Sequence, residues 1–332
     1  MIERIAFKNF KVLREAVLQL EPFTLIVGAN GSGKSTALQG LLRAAKKQDN
    51  FGLLVSAGLE DRTSASVEIR LNWAFTGQTT VVVWSPDGTI HRGHHGPGIS
   101  DQDQERLNDL LSRVRLYSLQ AVQLASPAGL VPHAELSEQG SSLVVVLDRL
   151  RDEAPERFEA LNAVLPEWVP EFDKILFENP SQGVRSLRLR VRHEKHSIPA
   201  HDLSTGTLLA LAMLTLAYLP APPSIVCIEE PNRGLHPRLL RHIQDALYRL
   251  SYPENYGEER QAVQVIATTH SPYMLDLYKD TPEQIVMAQK VSPLEARFDR
   301  LADRDDLKSL LKGSHLGDIW YSGILGGVPE SL

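Results

Sequence analysis

Between residues 2 and 20 the apolar positions Ile2, Ile5, Phe7, Val17, Leu18 and Leu20 are interspersed with charged ones. That alternation predicts two antiparallel strands. An unbroken apolar run, Leu25-Ile26-Val27, predicts a buried strand that breaks at Gly28. The spacing then turns helical (Ala37, Leu38, Leu41, Leu42, Ala45), predicting a helix over 36–48. From 51 to 120 the pattern is β: Val67, Ile69 and Leu71 alternate with polar residues, 80–84 is strand-like, and Ser85-Pro86-Asp87-Gly88 predicts a turn. The polar, glycine-rich stretch 91–103 reads as a loop. Helical period returns over 141–165, β character over 173–199, and a helix over 204–218. A strand at 224–229, a helix at 237–250, a strand at 263–268 and a short helix at 272–278 follow. The tail, 284–332, reads as one or two strands and then helices. Repeats and long heptad runs are lacking.

The predicted architecture is α/β, a mixed central sheet with a β arm and an inserted helical lobe. Its expected boundaries are 1–50 for the first part of the core, 51–120 for the arm, 121–203 for the lobe and 204–332 for the rest of the core. A chain of 332 residues, 42% hydrophobic and 23% charged, is ample for a real core. The net charge of −6 gives no global attraction to nucleic acid or anionic membrane. The single cysteine, Cys227, excludes an intramolecular disulfide and fits a reducing cytoplasm. No apolar run reaches the ~18 residues of a membrane span, and the first residues lack a signal-peptide core. A cytoplasmic protein that does not enter the membrane is expected.

The chemistry starts at the break after Val27. Gly28, Ala29, Asn30, Gly31, Ser32, Gly33, Lys34, Ser35 and Thr36 fit G-x-x-x-x-G-K-[ST], between a predicted strand and a predicted helix. Glycines let backbone N–H groups turn inward around a phosphate, and the helix N-terminus adds partial positive charge. Lys34 would reach the β- and γ-phosphates and the Ser35 hydroxyl would ligate Mg²⁺. A nucleotide-binding protein is expected.

The strand at 224–229 ends in two adjacent carboxylates, Glu229 and Glu230. Neighbouring residues at a strand end point differently, so one can help hold Mg²⁺ while the other faces an attacking water. Glu229 is assigned to the metal and Glu230 to the base. His270 follows the next apolar strand, at the edge where α/β sheets present ligand contacts, and is expected to sense the γ-phosphate. Ser204-Thr205-Gly206 opens the apolar helix at 204–218, which alone is a weak capping signal.

Taken in order, the P-loop, Leu203-Ser204-Thr205-Gly206, the carboxylate strand and the strand-end histidine resemble the ABC-class ATPases. Residues 228–237 (Ile-Glu-Glu-Pro-Asn-Arg-Gly-Leu-His-Pro), 267–272 and the opening 5–11 are similar to the prokaryotic OLD/RecF-like AAA group. The resemblance implies ATP with Mg²⁺ sandwiched in a head-to-tail homodimer, Ser204 and Gly206 of one subunit meeting the γ-phosphate held by the other, with 234–237 as the D-loop. ATP hydrolysis would rest on Lys34, Glu230 and His270. Most ABC proteins carry Asp where this chain has Glu229. The glutamine loop has two candidates, Gln120 and Gln123.

Full-length OLD proteins carry a nuclease domain for which the residues after His270 are too few. The resemblance therefore implies a defence-type ATPase that controls a separately encoded effector, a nuclease or toxin. A RecF-like DNA-repair ATPase is the alternative, and a transporter subunit or stand-alone nuclease comes behind it. Asp303-Arg304-Asp305-Asp306 reads as helix-capping carboxylates rather than a metal motif. The stretch from Gly313 to Gly327, with Trp320, Tyr321 and Ile324, either docks a partner or packs on the core. Arg188, Arg190 and Arg192 alternate with Leu187, Leu189 and Val191, so one strand face either tracks nucleic-acid phosphates or pairs with the protein's own acids. His91, His94 and His95 lack a zinc-like spacing.

Overall fold

The structure, a computed structural model, describes residues 1–47, 49–59, 65–74, 77–312 and 315–326. The chain divides into two compact units, one of residues 1–116, 223–228 and 263–332, the other of 117–222 and 229–262.

The first unit opens with the hairpin β1 (Ile2–Phe10) and β2 (Leu13–Gln19), which bury Ile2, Ile5, Phe7, Leu13 and Leu18. Its tight turn holds Asn9 and Lys11 at positive φ. β3 (Phe23–Val27) is buried at all five positions, as befits a strand covered on both faces. Helix α1 (Lys34–Lys46) lies against the hairpin at Gly40, where a Cβ would approach the rings of Phe7 and Phe10 to 2.8 and 3.0 Å. The short helix α2 (Phe51–Leu54) is followed by β4 (Val67–Trp73), β5 (Gln78–Trp84) and β6 (Ile90–His95). These continue the hairpin into a five-stranded sheet of order β2-β1-β4-β5-β6.

The polar stretch at 91–103 is mostly regular structure. β6 carries it to His95, and α3 (Asp101–Ser112) begins inside it behind a capping box of Ser100 and Asp103. Composition hid the strand because its polar side chains find their partners on other elements. His94 Nδ1 bonds Thr80 Oγ1 at 2.8 Å and its Nε2 bonds Asn108 at 3.2 Å. Burial lowers the His94 pKa. β7 (Val114–Tyr117) ends this first run.

The second unit begins with α4 (Ala121–Leu124) and β8 (Ala128–Gly129). The helical stretch expected at 141–165 is two helices, α5 (Leu143–Glu153) and α6 (Pro155–Trp168), because Pro155 cannot continue the first and starts the second at N1. β9 (Phe172–Ser181), β10 (Val184–Val191) and β11 (Ser197–Pro199) pair around β10. Helix α7 (Thr205–Tyr218) is buried from Thr207 to Tyr218. An all-round apolar helix of this kind belongs inside a core rather than on a surface.

The chain then returns through β12 (Ile225–Glu229), passes α8 (Leu240–Ser251) in the second unit, and re-enters the first as β13 (Gln264–Thr269) and α9 (Pro272–Asp276). β14 (Ile285–Ser292), β15 (Glu295–Arg300), α10 (Leu307–Leu310) and α11 (Leu316–Tyr321) complete it. The core sheet has order β15-β14-β3-β13-β12-β7. β3 is flanked by parallel partners, Val27 facing Thr269 of β13 and Met287 of β14. Buried Gln264 ties the chain start to β13, accepting from Ile2 N at 2.8 Å and donating to Ile2 O at 2.6 Å. Among the described residues no helix is long and apolar enough to cross a membrane.

Candidate nucleotide site

β3 delivers the chain to Gly28 at the carboxyl edge of the sheet. A Cβ there would stand 2.4 Å from the Ala288 carbonyl oxygen and 2.7 Å from Ser32 Oγ, so no larger residue fits. Gly31 and Gly33 hold φ of 77° and 91°, the left-handed region that glycine enters without strain. Gly33 is the N-cap of α1, and Ala37 N donates to its carbonyl at 2.9 Å. Lys34 is 7% exposed and its Nζ donates to Gly28 O at 2.7 Å and Ala29 O at 2.9 Å, holding the ammonium over the loop. Asn30, Gly31 and Ser35 are exposed, with Ala29 and Thr36 half-buried. Ser32 Oγ is buried with no hydrogen-bond partner. The loop is therefore a cradle of main-chain groups with a cation folded into it, which is the donor set a polyphosphate needs.

His270 leaves the same edge. Thr269 faces Val27 across the sheet, so His270 and Gly28 are the next residues of neighbouring parallel strands. Local bonds fix it: Thr269 Oγ1 accepts from Ser271 N at 3.0 Å, and Ser271 Oγ caps α9 through Met274 N. Carboxyl ends of parallel strands are where α/β sheets gather ligands.

β12, neighbour of β13, ends at Glu229. Glu229 Oε1 is buried without a hydrogen-bond partner, a state a cation would relieve. Glu230 holds φ of 50°. A non-glycine residue there is uncommon and costs about 1 kcal/mol or more, and such residues gather where a side chain must be aimed. Arg233 N closes the turn on Glu230 O at 2.9 Å.

Within the second unit, Ser204 is an exposed N-cap of α7, its Oγ accepting from Thr207 N at 3.1 Å. A Cβ on Gly206 would lie 3.4 Å from Gly234 O, and one on Gly234 would lie 2.9 Å from Thr205 Cγ2. The signature turn and the 232–235 turn are thus packed glycine to glycine, a contact that spacing in the sequence could not reveal. Gln120 is the exposed N-cap of α4, and Gln123 is half-buried inside it.

The other candidates separate. Arg188 bonds Ser197 Oγ at 3.0 Å and pairs with Glu178, Arg190 pairs with Asp173 at 2.7 Å, and Arg185 pairs with Asp148 at 3.0 Å. β10 ends at Val191, leaving Arg192 outside the strand. Arg188 and Arg190 of the row are therefore answered by the protein's own acids. Asp306 occupies the N-cap position of α10 but makes no side-chain cap, because its carboxylate pairs with Arg304 at 2.8 Å. No metal-holding group of three or more His, Cys, Asp or Glu exists among the described residues.

Gly313, Ser314 and Gly327 lie outside the described residues. Of the rest of that tail, Leu316, Ile319 and Trp320 are buried, and only Tyr321 and Ile324 remain as exposed large apolar residues. Packing wins over an exposed Trp-Tyr patch. Asp276 accepts from Gly317 N at 2.7 Å, and a Cβ on Gly317 would stand 2.6 Å from Pro272 O. Gly317→Ala is therefore expected to loosen α11 from α9 at a cost of ~1–3 kcal/mol, as overpacking does. Faster proteolysis within 311–326 than in the unaltered protein would show it, and unchanged protection would contradict it.

A family described as "AAA domain, putative AbiEii toxin, Type IV TA system" matches residues 83–276, more than half of the chain, and one described as "AAA ATPase domain" matches residues 1–87. The chain belongs to this AAA ATPase family. The ATPase is 22% identical over 377 residues to the OLD nuclease of Thermus scotoductus, across 96% of its own length and 68% of that protein's. Its fold is that of SMC head domains. The Pyrococcus furiosus head superposes with a TM-score of 0.61 at 16% identity, covering 94% of this chain and 98% of that one. The Pyrococcus yayanosii head gives 0.55 at 13% identity, covering 94% and 99%. This is an ATP-hydrolysing AAA protein with a P-loop and the fold of an SMC head.

Proposed function

We propose that this AAA ATPase closes into head-to-tail dimers around ATP and uses that closure to control a separately encoded nuclease or toxin in prokaryotic anti-phage defence. ATP would lie in the P-loop cradle of 28–36. Mg²⁺ would be held by Ser35 Oγ and Glu229, and when bound it supplies charge neutralisation of the phosphates. Lys34 would orient the β- and γ-phosphates, Glu230 would take the proton of the attacking water, and His270 would hold the γ-phosphate end.

The observation that carries the dimer is the signature turn. Ser204 and Thr205 stand exposed at the start of a helix that is buried from Thr207 onward, backed by the Gly234 turn. A helix N-terminus so presented suits an anion brought by another molecule. The toxin wording of the family and the nuclease name of the relative support an effector acting with the ATPase.

The test is the solution mass of Glu230→Gln protein with and without Mg-ATP. Blocking the base should trap bound ATP, so mass is expected to double only with nucleotide, and Lys34→Ala should abolish the change. A protein that binds ATP and stays monomeric would defeat the sandwich.

A further inference from the structure

We infer that Lys290 is a further nucleotide contact, on the α-phosphate side of the P-loop; this rests on the nucleotide-site reading above. The strand order supplies the direction. β3 carries the P-loop between β13 and β14. On the β13 side stand His270 and, one strand further, the carboxylate end of β12. These are the groups assigned to the γ-phosphate and its attacking water, so the terminal phosphate points that way. A nucleotide whose γ end lies toward β13 must run its α-phosphate and nucleoside toward β14.

β14 is built to meet it. Its pairing with β3 ends at Met287 opposite Val27, yet the strand continues to Ser292, alongside the loop rather than beneath it. There the hairpin with β15 closes on the P-loop glycines through small groups. The Ala288 Cβ lies 3.1 Å from where a Gly28 Cβ would be, and the Ala296 Cβ lies 3.1 Å from that of Gly33. Val12 and Leu13 complete the wall at Gly33, and Ala296 N donates to Val12 O at 2.8 Å.

Side chains two apart on a strand share a face, and so do residues paired across strands. Lys290 lies two residues beyond Ala288 and pairs with Ala296. It therefore stands on the face that walls the loop, one step further out, and it is exposed. The register shifts just after it, between Lys290 and Ser292, the kind of irregularity that re-aims a side chain beside a site. A lysine at this rim is a mobile point charge on a long stem, suited to a phosphate whose other contacts are main-chain amides. Nothing in the local sequence announces it, because it lies more than 250 residues from the P-loop and is brought beside it only by sheet order.

The test is calorimetric titration of the full chain with ATP and ADP in Mg²⁺, for unaltered protein, Lys34→Ala, Lys290→Ala and Lys290→Arg. Lys290→Ala is expected to weaken ATP and ADP alike by about tenfold, the scale of one charge-assisted hydrogen bond, with Lys290→Arg recovering most of it. Lys290→Ala binding both nucleotides as the unaltered protein does would overturn the inference and leave the P-loop reading intact. Loss confined to ATP would also overturn it, since it would put Lys290 at the γ end. No nucleotide binding by the unaltered protein would instead remove the reading beneath it.

Discussion

Glu230→Gln protein is expected to bind ATP about as well as the unaltered enzyme while hydrolysing it ~10²–10⁴-fold more slowly, the range a positioned general base contributes. The amide keeps the size and the hydrogen-bonding reach of the carboxylate but cannot accept the water's proton. The left-handed backbone at Glu230, φ 50°, argues that this side chain is aimed rather than merely placed. Single-turnover hydrolysis beside a binding titration separates the two effects. A fall of less than about fivefold would exclude Glu230 as the base, since it would lie far below that contribution. A loss of binding would show that it holds the metal or nucleotide, reversing its assignment with Glu229.

The second large effect concerns stability and lies in the second unit. Glu258 is 9% exposed and receives three guanidinium groups: Arg260 at 2.6 Å, Arg157 at 3.4 Å, and Arg249. The excess cations are answered by main chain and aromatic faces. Arg260 also donates to Arg249 O at 2.6 Å, Arg157 to Leu219 O at 3.5 Å beyond the end of α7, and Arg249 stacks 4.3 Å over the Tyr218 ring. One carboxylate thus clasps α6, α8 and the loop after it. Glu258→Gln would leave buried cations uncompensated, and ~3 kcal/mol of destabilisation is expected, the lower end of the range for breaking a buried pair because two of the arginines are about a quarter exposed.

The pH dependence of that effect has a definite sign. Burial pushes the Glu258 carboxyl up, but hydrogen bonds and charge from Arg260 and Arg249 outweigh it, and the net shift is downward. A depressed folded-state value means the stabilisation is fully present above the unfolded carboxyl value of about 4.3 and is lost as pH falls through the folded one. The gap in urea midpoint between Glu258→Gln and the unaltered protein should therefore be widest near neutrality and shrink in acid. Equal midpoints at pH 7 would show the clasp to be worth nothing.

Much of this was legible from the residues because local chemistry and tertiary role coincide there. β3, β12 and β13 are short apolar runs with polar ends, and those ends are the candidate site. The P-loop announces itself because Gly28, Gly31 and Gly33 are each needed where they stand. Legibility failed where a partner distant in sequence decides. The strand through His94 hid behind polar residues whose partners, Thr80 and Asn108, lie on other elements. Arg188 and Arg190 of β10 could be read either way until Glu178 and Asp173 were seen to answer them. The contact of Gly206 with Gly234 and the approach of Ala288 and Ala296 to the P-loop glycines have no local signature.

The placement of β3 between two late strands also dictates an order of events during synthesis. Its neighbours β13 and β14 begin at Gln264 and Ile285, and Ile2 waits for the side chain of that same Gln264. Domains emerge from the ribosome N-terminus first, and pairings distant in sequence form slowly. The first motif to be translated is therefore among the last to acquire its shape. Until residue 264 is made the nascent P-loop strand has neither neighbour, and until residue 287 it keeps one apolar edge open to chaperones or to mispairing. A ribosome-stalled chain ending before Gln264 should then retain no ATP, while one carrying β14 clear of the exit tunnel should.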